Sequence, residues 1–95
     1  MKKKFNDAMM ECYVLLYQNS TPPADFQSLM DNAELNEFGQ KEIDFMAYEI
    51  EEETFNNIVS DIVKKYKFKN YQKRSFEVSI TLGCSPKFKK IFNEK

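Results

Sequence analysis

The stretch "FEVSITL", residues 76–82, decides the fold, because it satisfies two incompatible patterns. Phe76, Val78, Ile80 and Leu82 alternate with polar neighbours and include β-branched side chains, as a half-buried strand requires. Phe76, Ile80 and Gly83 also keep helical spacing, Asn70 stands where a helix start takes its cap, and Gly83 followed by Pro86 is a helix ending. A strand needs a partner, and the segments around 43–46 or 66–69 give only a two-stranded sheet of marginal stability. A helix is therefore expected, within a mainly α single domain of about four helices spanning 1–95. The alternative is an α+β domain in which 76–82 pairs with 43–46 or 66–69.

Upstream, a third helix is predicted over about 51–67, where Phe55, Ile58, Val59, Ile62, Val63 and Tyr66 share one face. Glu51 to Glu53 crowd its start and Lys64 and Lys65 its end, which suits the helix dipole. The first helix covers about 3–18 through Phe5, Met9, Cys12, Tyr13 and Leu16, with Val14, Leu15 and Tyr17 widening its apolar face. That breadth fits a central core helix or, less commonly, a dimer seam. A second helix starts near Thr21 as cap and Pro22 as first residue, burying Phe26, Leu29, Met30 and Ala33. Residues 31–41 read as loop. "IDFMAYEI", 43–50, is a short strand or an irregular approach to the third helix, and the tail "PKFKKIFNEK" is expected to add a helical turn that clamps Phe88, Ile91 and Phe92 on the body.

The formal charge of −1 conceals segregation. Residues 1–4 carry three lysines, 5–63 carry thirteen acids against Lys41, and 64–95 carry ten basic residues against Glu77 and Glu94. Such asymmetry points to an electrostatic partner unless folding lets the blocks neutralise each other. Two candidate surfaces follow. An acidic face of Asp25, Asp31, Glu34, Glu37, Glu49, Glu51 and Glu52 suits a basic patch on an unidentified protein partner. The alternative lies in "KKYKFKNYQKR", 64–74, where Lys67, Lys69, Lys73 and Arg74, extended by Lys87, Lys89 and Lys90, contact phosphates while Tyr66, which also belongs to the apolar stripe of the third helix, Phe68 or Tyr71 stacks on unpaired bases. A pI of about 5.5 and a single arginine weigh against base-specific reading.

Other chemistries find little footing. The chain has no histidine, hence no imidazole base and no Ser-His or Cys-His nucleophile pair. Cys12 and Cys84 lack metal-ligand spacing, and the glycines, Gly39 and Gly83, stand outside any phosphate-binding motif. Asp31 and Glu42 mark the ends of a twelve-residue calcium loop, but Ala33 and Leu35 occupy its ligand positions and Asn36 replaces its glycine. No cofactor, metal or catalytic residue is expected. The longest nearly apolar run, 8–17, is broken by Glu11 and falls short of the roughly 20 residues needed to cross a bilayer.

"TPPADF" (21–26) and "LGCSP" (82–86) resemble segments of small phage proteins of no assigned activity. The resemblance covers these anchors and the acidic approach to the third helix, and it implies a product acting in a bacterial cytoplasm. Together the residues and the resemblance lead to the expectation of a non-enzymatic interaction protein, a modulator of a host factor acting through the acidic face, with nucleic-acid binding as the alternative. Homo-oligomerisation stays open.

Overall fold

Residues 76–82 are helical. A computed structural model of the chain describes residues 2–35, 37–39, 41–43, 47–83 and 86–89, and there the segment completes helix α4 (Tyr71–Leu82). Phe76 and Ile80, one turn apart, are fully buried, whereas Val78 is exposed and Leu82 is 79% exposed. A strand would turn all four to one side; the helix takes two inward and leaves two out. The Phe76 ring meets Phe5 edge-on, with centroids 5.8 Å apart, and lies 5.2 Å from Phe68.

Helices α1 (Lys2–Gln18) and α3 (Glu52–Lys65) supply most of the remaining core. Ala8, Cys12 and Leu16 recur every four residues along α1 and are fully buried, with Tyr17 beside them, while Phe5, Met9 and Tyr13 flank that line. The centre of the α1 face is thus used up inside one copy of the chain and is not a dimer seam. α3 buries Phe55, Val59, Ile62 and Val63. Its first turn holds Glu52 and Glu53 and its last Lys64 and Lys65, as the dipole favours. Phe5 touches Phe68 beyond the end of α3, and Glu11 reaches Lys65, so α1 and α3 run antiparallel. Gly83 ends α4 with its N–H donating to the Ile80 carbonyl. Its φ of −89° suits any residue; the glycine is needed for room, because a Cβ there overlaps the Tyr13 hydroxyl of α1.

The second helix begins later than the sequence predicts. Thr21 does not cap it, because its N–H and C=O are both bonded to the Glu49 backbone, at 2.7 and 3.1 Å. Pro22 and Pro23 each hold the preceding residue out of helical geometry. Asp25 becomes the cap instead: its carboxylate accepts from the Gln27 N–H at 3.0 Å and the Ser28 hydroxyl at 3.3 Å, and α2 runs Phe26–Asn32. Phe26 stacks on Tyr13 and Tyr17, which ties α2 to the C-terminal half of α1.

The stretch 31–41, expected as loop, finishes α2 and then forms an antiparallel pair, β1 (Glu34–Leu35) with β2 (Lys41–Glu42), around Gly39 at φ 77°. β3 (Glu49–Glu51) follows, at the end of the segment whose form the sequence leaves open; residues 44–46 lie outside the described ones. β4 (Lys87–Lys89) pairs with β3 in parallel. The tail therefore contributes a strand at 87–89, not the expected helical turn, because pairing there satisfies N–H and C=O groups along the open edge of β3. Residues 91 and 92 lie outside the described residues. Neither strand pair uses 66–69 or 76–82, so the α+β alternative is not the one formed. The domain is mainly α, with four helices among the described residues.

The placement of α4 makes a direct prediction. Phe76→Ala should lower the unfolding free energy by about 3–5 kcal/mol in urea titrations, and Leu82→Ala should change it by no more than about 0.5 kcal/mol. Equal losses at the two positions would contradict a helix.

Candidate functional site

α3 ends in a reversal built on a left-handed residue. Lys67, at φ 59°, donates its N–H to the Lys64 carbonyl at 3.2 Å, and Phe68 donates to Val63 at 3.0 Å, the paired bonds of a Schellman ending. That ending wants an apolar residue turned inward after the reversal, and Phe68 is 5% exposed, packed on Phe5, Tyr66 and Phe76. Phe68 therefore presents no face to a nucleotide base, and its assignment as a stacking residue is corrected. Within 64–74, Tyr71, at the start of α4 and 85% exposed, is the aromatic side chain that faces outward.

Around this turn the surface is concave and basic. A groove of about 450 Å³ between the end of α3 and α4 is lined by Lys64, Lys67, Lys69 and Lys73, with Val63 and Phe68 in its floor and Glu77 at its side. A second depression of about 530 Å³, lined by Asn70, Tyr71, Arg74 and Val78, shares Lys73 and Glu77 with the first. Lys4, from the start of α1, brings its ammonium to 5.4 Å from the centre of the Phe68 ring. Among the described residues, Lys64, Lys67, Lys69, Lys73 and Arg74 enter no ion pair.

One basic residue of the segment is spent internally. Lys65 Nζ donates to Glu11 Oε2 at 2.7 Å, and the Tyr66 hydroxyl donates to Glu11 Oε1 at 2.8 Å, pinning α1 to the end of α3. The hydrogen bond from Lys65, and then that from Tyr66, holds the Glu11 carboxyl below the usual carboxylate range. The same bonds raise the pKa of Lys65 and of Tyr66. This cluster is missed by sequence reasoning, although one signal for it exists: Glu11 is the lone charge in the apolar run of the first helix. Next to it, burial first and the Glu11 charge second push the Cys12 thiol up to about 12, which leaves it inert near neutral pH. Cys84 lies outside the described residues.

The acidic residues are distributed over several elements. Asp25 is occupied as the α2 cap, and Asp31 accepts from the Gln27 amide one turn earlier. Glu34 and Glu37 are exposed at the β1–β2 hairpin, and Glu49, Glu51 and Glu52 sit at β3 and the start of α3. The β3–β4 register sets Lys87 beside Glu49 and Lys89 beside Glu51 along the backbone, so these two lysine positions join the acidic end and not the groove. Lys90 lies outside the described residues. Fourteen residues of α3 separate the two ends, about 20 Å of helix. The ion pairs among the described residues, Lys3 with Asp7 at 3.5 Å and Lys65 with Glu11 at 2.7 Å, leave the five groove cations unpaired.

Among the described residues no helix is long and apolar enough to cross a membrane, and no three Cys, Asp or Glu side chains converge as a metal site would require. No protein-family model, curated protein or solved structure matches the chain.

The Glu11 cluster should be visible in the pH dependence of stability. Its lowered carboxyl contributes stability that is complete above the unfolded-state pKa and is lost as pH falls through the folded one. Its raised lysine and tyrosine contribute stability that is complete below their unfolded-state pKa values and is lost as pH rises through the folded ones. Glu11→Gln should therefore destabilise most between about pH 6 and 9, and the gap from wild type should narrow as pH falls below the ordinary glutamate range and as it rises beyond the ordinary tyrosine and lysine range. A gap independent of pH in thermal or urea unfolding would show the cluster to be energetically idle.

Proposed function

We propose that this chain is a small non-catalytic binding module working through charge, and that its basic groove takes the backbone of a single-stranded nucleic acid. The observation carrying the reading is that five cations without ion-pair partners among the described residues, Lys64, Lys67, Lys69, Lys73 and Arg74, border two joined depressions beside an exposed tyrosine. Phosphates displace counterions from such a surface, and a flat exposed ring stacks on any unpaired base. A duplex is the poorer substrate, because its bases are already stacked and one arginine offers little bidentate reading of their edges. The non-catalytic part rests on the absence of histidine and on the inert, buried Cys12. On the resemblance of residues 21–26 and 82–86 to phage segments, the strand bound is a phage's or its host's.

Anisotropy of a labelled oligo-dT across a salt series tests this. Log affinity should fall against log salt with a slope of about 3.5 for five contacts. Removing two cations, in Lys73→Ala/Arg74→Ala, should reduce that slope by about 1.4. Tyr71→Ala should weaken binding by about 1–3 kcal/mol with the slope unchanged. Absence of binding at low salt rejects the reading.

A second reading, docking of the acidic end on a basic host protein, is favoured by the β1–β2 hairpin. There Leu35 and Phe38 are exposed beside Glu34 and Glu37, which joins apolar contact area to charge. A protein captured from bacterial lysate at low salt by the wild type and lost by Glu34→Lys/Glu37→Lys supports it; capture unaffected by the reversal rejects it.

A further inference from the structure

Three described residues have left-handed backbone: Gly39 at φ 77°, Lys67 at φ 59° and Asn70 at φ 53°. Glycine adopts such angles without steric penalty, whereas a Cβ is crowded against the backbone there. At Gly39 the chain uses glycine, although open space surrounds the position and a Cβ would meet nothing within 4 Å. At Lys67 and Asn70 it keeps side chains, and those two side chains line the two joined depressions, Lys67 the first and Asn70 the second. Among the described residues, left-handed geometry and a retained side chain coincide only at the groove.

Asn70 adds an independent point. It occupies the N-cap position of α4, where asparagine ordinarily accepts a bond from the first turn, yet its side chain makes no capping bond. Its ψ of −120° accompanies the positive φ, a combination that even asparagine rarely holds. The amide is exposed, with its donors and acceptor turned to solvent instead of to the helix.

We propose that the α3–α4 turn is a preformed ligand clasp: the reversal that buries Phe68 imposes the positive φ, and Lys67 and Asn70 stand there in place of glycine because their side chains contact the bound strand, Lys67 a phosphate and Asn70 a phosphate or base edge. The turn gives up stability for binding. This deepens the nucleic-acid reading and rests on it.

Lys67→Gly and Asn70→Gly remove strain and side chain together, so each should raise the urea midpoint while weakening oligo-dT binding several-fold, and Lys67→Gly should also lower the salt slope by about 0.7. Lys69→Ala, at an ordinary backbone position, should weaken binding without raising the midpoint. Lys67→Arg keeps charge and backbone and should preserve both. Raised midpoints with unchanged binding would show the side chains to be idle, and unchanged or lowered midpoints would show that no strain is released. Either result overturns the clasp while leaving wild-type binding, and with it the broader reading, intact. A wild type that binds no oligonucleotide removes both.

Discussion

Burial of the Phe68 ring is the constraint on which the rest of the architecture depends. The ring lies against Phe5 of α1, Tyr66 at the end of α3 and Phe76 of α4, so one side chain joins three helices. To reach that position directly after α3 the chain must reverse within one residue, and it does so by placing Lys67 in the left-handed region. The reversal sends α4 back across α3, brings Phe76 and Ile80 onto the core, and opens the groove along the line where the two helices part. The fold's apolar anchor and its basic surface are two sides of one turn.

Charge follows from the same geometry. Because α1 and α3 are antiparallel, the lysines that open the chain arrive beside the end of α3, and Lys4 comes to rest over the Phe68 ring. Glu11 absorbs one lysine and the Tyr66 hydroxyl, fixing the helix pair, while the rest of the cationic cluster keeps its charge for solvent or a ligand. At the far end the lysine positions of β4 run along β3. Among the described residues the ion pairs, Lys3 with Asp7 and Lys65 with Glu11, both involve α1 and leave the five groove cations unpaired.

The helices were legible where a periodic apolar face coincided with end signals. α3 shows both, with acids at its start, lysines at its end and an uninterrupted face between. Thr21 followed by two prolines imitates a helix start ahead of the true one; the competing claim on Thr21, its backbone bonds to Glu49, comes from a residue 28 positions away. The strand at 87–89 was unreadable for a similar reason, since "KFK" has no periodicity of its own and pairs only because β3 offers an edge. Among the site residues, the exposed cations of 67–74 and Tyr71 were recognisable from residue type, but the burial of Phe68 was not, because basic and aromatic residues alternate in the same way whether the ring points in or out.

Local composition alone determined that this chain is mainly helical, that it lacks imidazole chemistry, and that its basic residues concentrate after position 63, because these are properties of residue type and short-range spacing. The tertiary structure decided which aromatic rings are spent in the core, which acids are neutralised, and where lysine and asparagine bear left-handed backbone. Those outcomes depend on contacts between segments tens of residues apart, and no local pattern encodes which distant surface a side chain will meet.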